Sequence, residues 1–154
     1  MKAEHLILLR CSKKNFAIKA DFVVEVIRID FLQKVPGSHD NIAGVSVHRG
    51  TLIPIYFIDQ EHAGSDKLFY AIILYKRERY IGFICEEAGI FPLENARIVD
   101  DKNIIKNYNR HEIVKMILDI DNEIYGLIEY EKIDKMYYEN NKGGMNESED
   151  INSG

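Results

Sequence analysis

Short apolar runs, each followed by a polar turn segment, recur about every 8 to 12 residues along this chain of 154 residues. Three pairs of these runs flank the turn segments 49–50, 76–79 and 121–122, and each pair predicts a β-hairpin. This spacing is typical of barrels and sandwiches. An all-β fold is therefore expected.

Helical spacing is confined to two short segments. Residues 103–107 are predicted to form one helical turn, and residues 131–138 a terminal helix of about two turns. The last stretch, residues 139–154, is polar, small and acidic, and it buries too little apolar area to offset its chain entropy. We expect one folded domain over residues 1–138, built from two intimate halves, followed by a disordered acidic tail.

Charge and hydropathy exclude several classes of partner. The net charge is -5, and the basic residues are scattered, whereas a nucleic-acid partner requires a concentrated basic face. No apolar stretch approaches the ~18 residues of a membrane span or forms the apolar core of a signal peptide. Cys11 and Cys85 lie far apart without metal or redox spacing. A cytoplasmic protein with two thiols in its core is expected.

Motifs that carry chemistry are sparse. The five histidines never take a metal-ligand spacing, and neither C-x-x-C nor a glycine-rich phosphate loop occurs, so no metal and no cofactor are predicted. Ser46 lies in a segment like G-x-S-x-G, but His48 replaces the second glycine and a strand continues there. Glu86 and Glu87 are adjacent strand residues, which point to opposite faces. A small β-barrel hydrolase using Ser46 or Glu86 is the least favoured alternative, and no catalytic residue is predicted.

The second strand of the first hairpin, residues 52–58, is apolar on both faces and must be covered on both. Pro54 has no N–H to donate, so it is expected at an edge or a bulge. Gly50 supplies the positive φ that a tight two-residue turn requires. Arg49 is thereby held at a rigid tip, with its guanidinium available to a carboxylate.

Five segments of the first half occur in the order typical of one known family. They are Val24-Glu25-Val26-Ile27, Val35-Pro36-Gly37, Ile42-Ala43-Gly44-Val45, Arg49-Gly50 and Ile53-Pro54-Ile55. Together they resemble the CheW-like domain, the module that links chemoreceptors to the histidine kinase CheA. Residues 80–88 resemble the second half of the family pattern more weakly, and the likeness covers residues 5–137. Three departures from the pattern occur: Val47-His48 replaces Asn-Leu, Phe57-Ile58-Asp59 replaces Asp-Leu-Arg, and Ala88 replaces the valine after the acidic pair.

The resemblance implies two five-stranded SH3-like β-barrels that share a hydrophobic core, followed by a short C-terminal helix. It also implies a non-enzymatic cytoplasmic adaptor, recruited to membrane receptor arrays. Such an adaptor would bind the cytoplasmic tip of a methyl-accepting chemoreceptor and the regulatory domain of CheA. The segments that differ from the pattern leave an alternative, a divergent scaffold of this type in another two-component signalling assembly.

The same resemblance indicates a partner-binding surface. Glu25 and Arg49 match an acid–arginine pair near the family's binding surface, and Gly44 matches a glycine beside its receptor-binding groove. For Val24 and Val45, their neighbours, core packing is the alternative role. The predicted partner-binding residues are Val24, Glu25, Gly44, Val45, Arg49 and Gly50.

Overall fold

The computed structural model describes residues 4–11, 14–34, 42–58, 69–76, 78–108 and 113–133. These residues form a predominantly β protein with two short α-helices, as the spacing of apolar runs predicts. The strands are β1 His5–Arg10, β2 Asn15–Lys19, β3 Val23–Arg28, β4 Ile42–His48, β5 Thr51–Tyr56, β6 Tyr70–Lys76, β7 Arg79–Cys85, β8 Glu87–Pro92, β9 Arg97–Val99, β10 Val114–Ile120 and β11 Glu123–Ile128. The helices are α1 Lys102–Tyr108 and α2 Tyr130–Ile133.

The strands form two sheets rather than the two five-stranded barrels that were expected. One sheet has six strands in the order β8-β1-β2-β11-β10-β9, and the other has five in the order β3-β6-β7-β5-β4. The extra strand is β9, three residues long, which pairs with β10 at the edge of the six-stranded sheet. No closed barrel is found in the described part of the chain. In the five-stranded sheet, a single isolated bridge between Gln33 and Val45 joins the segment after β3 to β4.

The hydrophobic core comprises three clusters. The largest lies between the sheets and contains Leu9 and Phe16 from the six-stranded sheet together with Tyr56 and Phe83 from the five-stranded sheet. A second cluster belongs to the six-stranded sheet. The third, which we call the inner cluster, lies on the face of the five-stranded sheet that is turned away from the first cluster. It contains Ile53, Ile55, Ala71, Ile73 and Ile84. The two sheets thus share one core, and each keeps a smaller cluster of its own.

Strand β5 is covered on both faces, as its composition requires. Ile53 and Ile55 enter the inner cluster, whereas Tyr56 enters the cluster between the sheets. Pairing with β7 begins at Ile55, so Pro54 lies in the part of β5 that has only β4 beside it. The missing N–H of Pro54 therefore costs no bond to β7.

The hairpin turns use left-handed backbone conformations. Arg49 has φ 51° and Gly50 has φ 79°, and Asp121 and Asn122 form a second turn with φ 51° and 67°. In each turn, both central residues have positive φ. Two-residue turns of this kind match the twist of the strands that they connect. Arg49 therefore shares the strained conformation that the sequence assigned to Gly50 alone.

Each of the two helices begins one residue before its predicted start, at Lys102 and Tyr130. Helix α1 is longer than the single predicted turn, and the carboxylate of Asp101 accepts hydrogen bonds from the backbone N–H groups of Asn103 and Ile104 at 2.9 and 3.3 Å. Helix α2 is the first turn of the predicted terminal helix. The remaining residues of that helix and the predicted tail, residues 139–154, lie outside the described residues. Within the described residues, no helix combines the length and apolar character that crossing a membrane requires.

Candidate functional site

Glu25 and His48 join the two outer strands of the five-stranded sheet. Glu25 lies on β3 and His48 on β4, with three strands between them in the sheet order. Nevertheless, His48 Nε2 lies 2.6 Å from Glu25 Oε2. The sheet must therefore curl until its edges meet. We call the line where β3 and β4 approach each other the seam, and we refer to this side-chain contact across it as the Glu25–His48 clasp.

A bulge in β3 places two successive residues beside this seam. The register between β3 and β6 shifts between Val23 and Glu25. Adjacent residues of a regular strand point to opposite faces, but a bulge re-aims them. As a result, Val24 and Glu25 both line the same depression. The alternation of the sequence in this segment does not reveal the bulge.

The depression beside the clasp, which we call the seam pocket, has a volume of about 130 Å³. Ile53 and Ile73, each 1% exposed, form its floor. Charged and polar side chains stand around its mouth. The residues that line it are Val24, Glu25, His48, Arg49, Thr51, Ile53, Ile73 and Tyr80. Three of the predicted partner-binding residues are thus brought together here.

The expected Glu25–Arg49 pair is not formed. The Glu25 carboxylate contacts His48 instead, and these two side chains are only 35% and 27% exposed. His48 pairs with Thr51 across the hairpin and shares its face, whereas Arg49 occupies the turn itself with φ 51°. Arg49 is exposed and makes no hydrogen bond or ion pair with any residue that the structure describes. Its guanidinium remains available at the mouth of the seam pocket.

Gly44 and Val45 occupy a different part of β4. Gly44 is buried, and a methyl group there would lie 2.8 Å from the carbonyl oxygen of Gln33 and 3.0 Å from Cβ of Leu32. Val45 exchanges two backbone hydrogen bonds with Gln33, at 2.9 and 3.2 Å. Both residues therefore hold the segment after β3 against β4 and stand outside the seam pocket. Gly50 has open space around it, so its contribution is to the shape of the turn.

The outer face of the same hairpin is apolar and exposed. Val47 and Leu52 lie directly opposite each other across the hairpin, at 67% and 65% exposure. Val24 is also more than half exposed. Scattered exposed apolar residues are normal, but a cluster next to a cation without a described partner is typical of a protein contact surface.

Two tyrosines extend this surface along the neighbouring hairpin. Tyr75 and Tyr80 pair across β6 and β7, with ring centroids 4.6 Å apart. Both rings are partly exposed, and Tyr80 lines the seam pocket. Tyr80, Thr51 and His48 were missed as site residues. The sequence offered one signal for His48, which is strand alternation. It places His48 on the same face of β4 as Ser46.

The remaining features show little that is organised for chemistry. A second cavity of about 490 Å³ lies between α1 and β10 and includes none of the predicted site residues. Its lining residues are Ile98, Val99, Asp100, Ile105, Tyr108, Val114, Lys115, Met116, Ile117 and Lys132. Glu87 lies 3.6 Å from Arg10 in an exposed ion pair. Across the described ranges, no three His, Cys, Asp or Glu side chains are grouped to hold a metal ion.

Comparison with family models identifies one family. The model of the family described as the CheW-like domain matches residues 5–135. The search of curated proteins gave no match. Among solved structures, the chain is similar to the scaffolding protein TtCheW from Thermoanaerobacter tengcongensis, with a TM-score of 0.66 and 16% identity over 84% of this chain and 86% of that chain. At this identity, the structural likeness establishes a shared fold.

Proposed function

This chain belongs to the CheW-like domain family, and we propose that it is a non-enzymatic chemotaxis adaptor that couples chemoreceptors to the histidine kinase CheA. It would act in the cytoplasm and be recruited to membrane receptor arrays through the receptor tips. Its binding would require no cofactor. The solved relative is described as a scaffolding protein, which supports a role in assembly.

The observation that carries this proposal is the position of Arg49. A rigid turn holds its side chain at the edge of an exposed apolar surface, and it is not paired with Glu25. An arginine at the centre of an interface binds carboxylates bidentately and is often a binding hot spot. Folding has little use for Arg49 at this position, so binding is the role that best explains it.

The other predicted residues divide into contacts and supports. Val24 is exposed beside the seam pocket and would contact the partner directly. Glu25, held by the Glu25–His48 clasp, would fix the shape of the pocket mouth. Gly44 and Gly50 would act through the backbone, since neither carries a side chain. Val45 would position β4 through its hydrogen bonds with Gln33.

One observation favours a second candidate, a divergent scaffold in another two-component assembly. His48 stands where the family pattern has leucine, and its Nε2 contacts the Glu25 carboxylate, which does not pair with Arg49. This change alters the charge arrangement of the proposed binding surface. A partner other than CheA would then have been selected to match it.

Purified fragments distinguish the two candidates. Isothermal titration of this chain with the CheA regulatory domain and with a chemoreceptor tip from the same genome should show binding to both. Binding to neither fragment, together with binding to the regulatory region of another histidine kinase, would favour the second candidate. No binding to any of them would contradict the adaptor function.

A further inference from the structure

We propose that the seam pocket receives one aliphatic side chain of a protein partner, and that an Asp or Glu within one helical turn of it pairs with Arg49. This inference rests on the proposed adaptor function, since it describes the chemistry of the segment that the adaptor binds. Val24, Glu25 and Arg49 were predicted as separate contact residues, and this inference gives the pocket that they line a role in binding.

The volume of the seam pocket selects the size of the occupant. At about 130 Å³, the pocket has room for roughly four water molecules at ~30 Å³ each. Sites for cofactors and small-molecule ligands usually measure ~300 to 1,000 Å³. The pocket therefore matches a single side chain and is too small for a nucleotide or a comparable ligand.

The lining of the pocket selects an apolar occupant. The floor consists of Ile53 and Ile73, which belong to the inner cluster. Val24 and the ring of Tyr80 complete apolar walls. An aliphatic side chain would cover these surfaces and remove them from water, which is favourable. The Glu25 carboxylate is already hydrogen-bonded to His48 Nε2 at 2.6 Å. An apolar occupant of the pocket therefore does not leave this carboxylate without a hydrogen-bond partner.

The Arg49 guanidinium at the mouth indicates which residue of the partner lies beside that aliphatic side chain. Arg49 lines the pocket and has no described partner, whereas Glu25 is engaged in the clasp. The N–H donors of the Arg49 guanidinium therefore have no acceptor among the described residues, and they favour a carboxylate over an amine. On a helix, residues three or four apart lie about 5–6 Å from each other. An aliphatic residue and an acid at that spacing can reach the pocket and Arg49 together.

Filling the pocket from within the chain tests the proposal. Thr51 lines the pocket but is exposed, so Thr51→Trp can place its indole over Ile53 without entering the core. Ile90→Trp, at an exposed position on β8 of the other sheet, is the matched control. Affinity is measured by isothermal titration with the kinase or receptor fragment that binds the wild-type chain. We expect Thr51→Trp to weaken binding at least about tenfold and Ile90→Trp to leave it within about threefold.

Alanine substitutions in the bound fragment provide a second test that is independent of how well Thr51→Trp folds. One aliphatic residue of the fragment should lose at least about tenfold in affinity for the wild-type chain, and much less for Thr51→Trp, because the pocket is already filled. Normal binding by Thr51→Trp would contradict the proposed role of the pocket and leave the adaptor function intact. Equal losses of affinity in both tryptophan variants would have the same meaning. No binding by the wild-type chain would instead overturn the adaptor function, and this inference with it.

Discussion

His48 on β4 and Glu25 on β3 are 2.6 Å apart between Nε2 and Oε2, although they lie on the two outer strands of one five-stranded sheet. The contact shows that the sheet curls almost into a barrel, and the Gln33–Val45 bridge joins the same two edges through backbone hydrogen bonds. It also explains why Arg49 is not engaged in the pair that the sequence predicts.

The Glu25–His48 clasp should stabilise the fold only modestly. Both side chains are partly exposed, at 35% and 27%, which places the pair between a surface ion pair and a buried one. In a double-mutant cycle with Glu25→Ala and His48→Ala, we expect a coupling free energy of about 0.5 to 1.5 kcal/mol. Urea unfolding of the four proteins measures it. Additive effects within about 0.3 kcal/mol would show that the contact contributes nothing to stability.

Gly44 should be intolerant of any side chain. A methyl group there would meet the Gln33 carbonyl oxygen at 2.8 Å, and the backbone bonds between Gln33 and Val45 prevent that segment from moving away. We expect Gly44→Ala to cost about 1 to 3 kcal/mol of unfolding free energy. Gly89→Ala is the control, since its nearest neighbour lies at 3.9 Å. Equal costs at both positions would contradict the tight packing of Gln33 on β4.

The sequence predicts local features of this fold well because their causes are local. Gly50 requires its turn through its own backbone freedom, and Pro54 requires an open neighbour because it lacks an N–H. In contrast, β9 has three residues in a polar segment, too few for a periodic signal. The contact between Glu25 and His48 depends on the curvature of the sheet and on the bulge at Val24, neither of which is encoded in spacing. The seam pocket was therefore found only in three dimensions.

Cys85 should make stability depend on pH in alkaline solution. Burial, with a smaller contribution from Glu86, raises the pKa of the Cys85 thiol from 9.0 to about 12. The thiol has a higher pKa in the folded state than in the unfolded state, so rising pH ionises the unfolded chain first. The stabilisation from the buried neutral thiol is therefore complete below pH 9.0 and is lost as pH rises toward about 12. We expect the advantage of the wild type over Cys85→Ala in unfolding free energy to shrink by about 1 kcal/mol between pH 8 and pH 10. A constant advantage would mean that the thiol ionises equally in both states.

Residues 139–154 should be dispensable for folding. Their composition is polar and acidic, with few apolar side chains to anchor them. Ending the chain after Tyr138 should change the unfolding free energy by less than about 0.5 kcal/mol, the usual effect of surface changes. Thermal unfolding of the two proteins measures this. A loss of several kcal/mol would show that the segment packs against the domain.

Arg49→Glu tests the central claim most directly, because it reverses the one cation at the proposed binding surface without a described intramolecular partner. We expect circular dichroism and the melting temperature to stay close to wild type, since an exposed turn side chain contributes at most about 1 kcal/mol to folding. Affinity for the kinase regulatory domain or the receptor tip, measured by isothermal titration, should fall at least tenfold, or about 1.4 kcal/mol. Lys102→Glu makes the same charge change at an exposed position on α1 and should bind like wild type. If Arg49→Glu binds normally, or if it unfolds the protein, Arg49 is not the binding residue proposed here.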